Sequence, residues 1–170
     1  CSSDLADESE SEALRGKDFA ALQQYMQTVD SLVVDIGASN VEDLLALMTK
    51  FKGSHEDFDY FVIPAVPDKK QQNDTASTCK ALAAMGVAPS RIKIIFNRVE
   101  DGSNIGTTFS TLLSYLKLNA LAAPNQACAL SNNDIYQLTK NDGRSVKELA
   151  NEKTDFNALI AAPKDRAKKI

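Results

Sequence analysis

The chain has 170 residues, 44% hydrophobic and 25% charged, which is the make-up of one ordinary globular domain with a sizeable core. A net charge of −4 excludes a surface that is basic as a whole, so any DNA contact would belong to a local patch or to a partner. Cys1, Cys79 and Cys128 lack CxxC spacing and His55 stands alone, which argues against a zinc site or a histidine dyad and suits a reducing, cytoplasmic setting.

In chain order, "DLADESESE" (4–12) reads as an exposed acidic loop leading into a helix over roughly 11–27, with Leu14, Phe19, Leu22, Tyr25 and Met26 near one face. "SLVVD" (31–35) predicts a strand. A helix over about 40–51 carries Val41, Leu44, Leu45, Leu47, Met48 and Phe51; Ser39 or Asn40 is its expected N-cap, and Gly53 lies near its stop. "FDYFVIPAVP" (58–67) predicts a second strand closing in a proline-bounded loop, followed by a helix over about 69–85 that stops at Met85-Gly86. "RIKIIFNRV" (91–99) predicts a third strand, then a helix over about 105–117, a short strand at 127–130, and polar helices to the end.

Near-continuous apolar strands alternating with helices predict an α/β fold: a mostly parallel sheet flanked by helices on both faces, in one domain spanning 1–170. Open sheets of this kind bind ligands beyond the carboxyl ends of their strands. Three clusters fall there: Asp35-Ile36-Gly37, Pro64 to Asp68, and Asn97-Arg98. A buried strand has no cheap place for an isolated carboxylate, so Asp35 must meet water, a metal or a partner.

Those stretches, "LVVDIGAS", "YFVIPAVPD" and "IKIIFNRV", resemble in order and spacing the ParA/MinD-type P-loop ATPases. The phrases "EALRGKDFAALQQYMQTVDSLVVDIGASNVEDLLALM", "EDFDYFVIPAVP" and "NEKTDFNALI" resemble the StbB-type plasmid stability branch of that family, and the likeness runs from about residue 4 to 160. The resemblance implies a P-loop-type fold and an ATPase of plasmid stability, partition or positioning. It implies ATP and Mg²⁺ as cofactors, a nucleotide-dependent homodimer and a plasmid-encoded DNA-binding partner. It implies Asp35 as the Walker B carboxylate, holding Mg²⁺ through a water and helping to place the attacking water. Gly37 would let the switch backbone approach a γ-phosphate. Asn97 would contact adenine, with Arg98 beside it and Pro64 and Pro67 lining the base pocket.

One departure is large. The family's glycine- and lysine-rich phosphate loop would come first, yet no G-x-x-x-x-G-K-[ST] occurs and the glycines are scattered singly. The first strand and first helix of the family fold are missing with it, so the chain is expected to be an N-terminally truncated piece that alone does not hydrolyse ATP. "CSSD" would also suit a mature lipoprotein, but the residues after it read as the middle of a fold.

Each candidate also has a plainer role. Asp35 can cap the "SNVEDLL" helix, Gly37 and Asn97 can be turn residues, Arg98 can form a surface ion pair, and Asp68 can be the N-cap of "KKQQNDTAST". Asp4 and Asp7 default to a solvated loop and His55 to an exposed turn. Lys164, Arg166, Lys168 and Lys169 form a basic tail over 163–170, a weak version of a DNA or membrane patch and otherwise a solvated helix end. Two other functions fit parts of the pattern. One is a non-catalytic α/β interaction module. The other is a phospho-accepting receiver, which lacks the early acidic pair and has Asn97 where a lysine belongs.

Overall fold

Burial alternates along the largely apolar stretches Phe61–Ala65 and Ile92–Val99, which lie side by side in the computed structural model as parallel strands β1 and β2. The structure describes residues 19–100, 102–135 and 146–151. A third parallel strand, β3 (Ala129–Ser131), pairs with the far edge of β2, giving the order β1-β2-β3. Helices α1 (Phe19–Met26) and α2 (Val41–Lys50) precede β1. Helix α3 (Lys69–Ala84) connects β1 to β2, and α4 (Ile105–Thr108) and α5 (Ser110–Leu118) connect β2 to β3. The chain divides into two compact units, Cys1–Ser131 and Asn132–Ile170; the second contains α6 (Val146–Asn151). The coarse α/β expectation with a parallel sheet therefore holds.

Strand register decides which side chains form the core. Phe61, Ile63 and Ala65 lie opposite Ile92, Ile94 and Phe96, and this face packs against Cys79 and Leu82 of α3 and Leu112 and Leu116 of α5. The other face carries Val62, Pro64, Lys93 and Ile95, and there Val62 remains 57% exposed. Strand order equals chain order, so both crossovers advance the same way. With right-handed crossovers, their helices fall on one face. Within Cys1–Ser131, among the described residues, Val62, Pro64 and Lys93 on the second face are exposed, where the sequence pattern predicts helices covering both faces.

A second apolar cluster joins α1 and α2 to the start of the sheet. Phe19, Leu22 and Met48 are buried together, with Val34, Phe58, Phe61 and Met85 packed around them. Phe61 and Met85 also border the main core, so the two clusters are continuous.

Local signals set the helix ends. Asp68 accepts a hydrogen bond from the Gln71 N–H at 3.0 Å and caps α3, and Asn104 does the same for Thr107 at 3.1 Å ahead of α4. Helix α3 closes at Gly86 (φ +101°): the Gly86 N–H bonds back to Ala83 and the Val87 N–H to Leu82, which satisfies two terminal carbonyls. Helix α5 closes in the same way through Ala120 and Leu121, although Ala120 (φ +50°) has a Cβ in a region that favours glycine. The predicted 105–117 helix is broken at Phe109, which is fully buried with its ring centroid 4.8 Å from that of Phe96.

The predicted strand at 31–35 is the largest departure. Residues 31–37 form neither helix nor strand, with Val34 and Ile36 half-buried and Val33 92% exposed, and no described strand pairs with them. An apolar run specifies an extended backbone; a ladder also needs a neighbour offering N–H and C=O groups in register. No described strand offers them here. The early part of the first predicted helix (11–18), Asp4 and Asp7, the "EKTDFNALI" stretch and the basic tail lie outside the described residues.

Candidate functional site

The ladder brings two of the three predicted clusters together. Pro64 lies opposite Ile95 and Ala65 opposite Phe96, so the turn Val66-Pro67-Asp68 leaves β1 beside the point where Asn97 and Arg98 follow in β2. Pro64, Pro67 and Asp68 are exposed, and the proline at 64 removes one N–H from a strand that lies at the sheet's edge among the described residues, where such a loss is tolerated.

Asn97 and Arg98 occupy a bulge. Phe96 pairs with Ala129 and Val99 with Ser131, so these two residues face the single residue Leu130. Arg98 has φ +55°, a conformation that costs a residue with a Cβ about 1 kcal/mol. The Asn97 side-chain oxygen accepts from the Arg98 N–H at 2.9 Å and supports the bulge. That contact occupies Asn97 Oδ1 and leaves the Nδ2 donors as the groups it presents.

Asp35 is exposed in the 31–37 stretch, and among the described residues no hydrogen bond or ion pair holds it. It does not cap a helix. The following 3₁₀ turn, Ala38–Asn40, starts from Gly37, and α2 starts from Asn40 without a side-chain cap. Gly37 has φ −57° and ψ 142°, open to any residue, and an added Cβ would meet only the Asn40 amide at 3.9 Å. Neither backbone nor packing within the chain requires glycine at this position. The 31–37 stretch is not joined to the sheet ladder, so the structure unites the Pro64–Asp68 and Asn97–Arg98 clusters with each other and not with Asp35 through hydrogen-bonded strands.

Two residues that the sequence pattern does not single out shape the ends of the sheet. Gln72 is buried, and its side-chain amide donates to the Pro67 carbonyl at 2.9 Å and to the Thr108 carbonyl at 3.3 Å. Nothing in "KKQQND" marks which glutamine turns inward. At the opposite, amino-terminal end, Arg91 donates to the carbonyls of His55 (2.8 Å), Asp59 (3.2 Å) and Phe58, fastening the turn before β1 to the start of β2. A shallow, mixed-charge depression lined by Glu56, Asp59, Tyr60, Ser90, Arg91 and Lys93 lies there, away from the predicted site. Arg91 has a structural task in it, holding three carbonyls.

Of the groups that a Mg²⁺-nucleotide site needs, the sequence offers one exposed carboxylate, Asp35, with no partner among the described residues, and no glycine-lysine loop to receive phosphates. Among the described residues, no three or more His, Cys, Asp or Glu side chains gather as direct metal ligands. Among them too, no helix is long and apolar enough to cross a membrane. No family model, curated protein or solved structure matches the chain.

Proposed function

We propose that the chain is the greater part of a ParA/MinD-like ATPase of the StbB type, a cytoplasmic protein of plasmid stability or partition that switches its association state with ATP. The observation that carries this reading is the stretch 31–37. It is strand-like in sequence, forms neither helix nor ladder among the described residues, and carries in Asp35 a carboxylate with no partner among them. Strand β1 likewise has no partner on its outer edge among the described residues. An unladdered apolar stretch and a free strand edge fit a sheet that is short of a strand, as the resemblance implies. Gly37 adds support, because a glycine that the chain itself does not need suits close approach by a ligand.

On this reading the phosphate loop is supplied by sequence outside these 170 residues, Asp35 lies on the Mg²⁺ side, and Pro64, Pro67, Asn97 and Arg98 lie on the base side. Bound Mg²⁺ would neutralise phosphate charge; this chain's residues would orient the cation's water and hold the base. The homodimer and the plasmid-encoded DNA-binding partner belong to the same proposal.

The test uses the protein encoded by the complete gene. Mg-ATP is expected to raise its melting temperature and shift it towards a dimer, and Asp35→Asn is expected to remove the Mg²⁺ dependence of that shift. Absence of any nucleotide-dependent stabilisation or change in association overturns the reading. It would favour the second one, a non-catalytic interaction module, for which the specific observation is the uncovered sheet face bearing Tyr60 and Val62.

A further inference from the structure

Gln72 carries an inference beyond that reading. It sits in the first turn of α3, where polar side chains ordinarily point to water, yet it is only 7% exposed. Burying an amide is costly unless its groups are paired, and here the two N–H groups of Nε2 are divided between two carbonyls from different parts of the chain. Pro67 belongs to the turn that leaves β1. Thr108 ends α4, which follows β2. No backbone hydrogen bond of the described residues runs between these two segments. The Gln72 backbone N–H also bonds to the Asp68 carbonyl at 3.0 Å, so residue 72 grips the β1–α3 turn twice and α4 once.

We propose that Gln72 is a positioning residue: it locks the Pro64–Asp68 turn to α4, so that the wall built after β1 and the wall built after β2 keep one separation. This rests on the reading of the carboxyl edge as a nucleotide site, where the Pro64–Pro67 side of the base pocket needs a fixed place relative to the segment that follows β2. Gln72 touches no ligand in this role; it acts through the Pro67 and Thr108 carbonyls.

The coupling is tested without any ligand, by site-resolved amide hydrogen exchange. Asn104→Ala removes the cap of α4 and is expected to speed exchange of the Gln71 amide across the clamp. Gln72→Met keeps the length of the side chain and removes its donors, and in that background Asn104→Ala should leave the Gln71 amide unchanged. An equal effect in both backgrounds, or none in either, overturns the clamp. A second arm uses the protein from the complete gene and compares the dissociation constants of ATP and GTP. Gln72→Met is expected to reduce the preference between them several-fold, a readout that a general loss of stability would not move. Nucleotide binding with an unchanged preference overturns the positioning role. Binding of neither nucleotide overturns the reading of the site, and with it Gln72's part there, while the exchange result still decides the clamp between the two segments.

Discussion

The two faces of the sheet are made from the same strands and the same kinds of residue, yet they differ in nearly every physical respect. On one, Phe61, Ile63, Ala65, Ile92, Ile94 and Phe96 are covered by α3 and α5. On the other, Val62, Pro64 and Tyr60 meet solvent, and the Lys93 ammonium lies 5.2 Å above the Tyr60 ring. The difference comes from topology, not composition: crossovers of one hand that always step the same way build a single helical layer. Hydrophobicity therefore does not predict which apolar side chain in this sheet stabilises it. Position in the register does.

The sharpest test of that contrast is a matched pair. Phe96 is fully buried and packs on Phe109, so Phe96→Ala should cost about 3–5 kcal/mol of unfolding free energy. Val62→Ala, one strand away on the open face, should change it by under about 0.5 kcal/mol. Urea denaturation of both variants measures the difference. Similar losses would mean that the open face is covered in solution.

Thiols report on the two environments next. Cys79 is fully buried on α3, and burial pushes its thiol from an ordinary 9.0 up to about 11, because a thiolate there would lose its water. The folded state then binds a proton more tightly than the unfolded state. Its contribution to stability is complete below about pH 9 and is lost as pH rises through about 11. The comparison is with Cys79→Ala, which should show a shallower decline of stability there. Peptide-mapped alkylation at neutral pH should label the exposed Cys128 and spare Cys79 until the chain unfolds.

How much of the fold is legible in the sequence depends on whether a signal is local. Asp68 before a polar helix and Gly86 after one are local, and both lie where caps are expected. The apolar runs in 58–67 and 91–99 locate β1 and β2, with ends trimmed where Arg91 takes the carbonyls of Phe58 and Asp59. Pairing is not local. "SLVVD" has the composition of a strand but no ladder among the described residues, because partners are chosen by the whole fold. The inward turn of Gln72 depends on Thr108, 36 residues away. The bulge that sets Asn97 depends on β3, so that residue is visible in the sequence as a candidate while its orientation is not.

Helix closure gives a smaller effect and extends the argument from faces to ends. Gly86 and Ala120 both occupy the left-handed position of the same kind of cap, and their successors in the chain, Val87 and Leu121, both plug the covered face. Gly86→Ala should cost about 1 kcal/mol, and Ala120→Gly should be neutral or stabilising by a comparable or smaller amount. Thermal melts of the two variants check the opposite signs. If Gly86→Ala were neutral, the cap would not be what holds Val87 in the core.

The smallest expected effect probes the open face directly. Val62→Lys places a charge where the side chain already reaches water, beside Lys93 across the strand pair, so like-charge repulsion screened by solvent is the main cost. The change in stability should stay within about 0.5 kcal/mol and shrink further as salt is added. Val62→Glu reverses the sign of that interaction and should be neutral or slightly favourable opposite Lys93. If both variants instead destabilise strongly and alike, charge is not the cause. The common factor would be loss of an apolar contact on this face, and the open and covered faces would differ only in which part of the protein covers them.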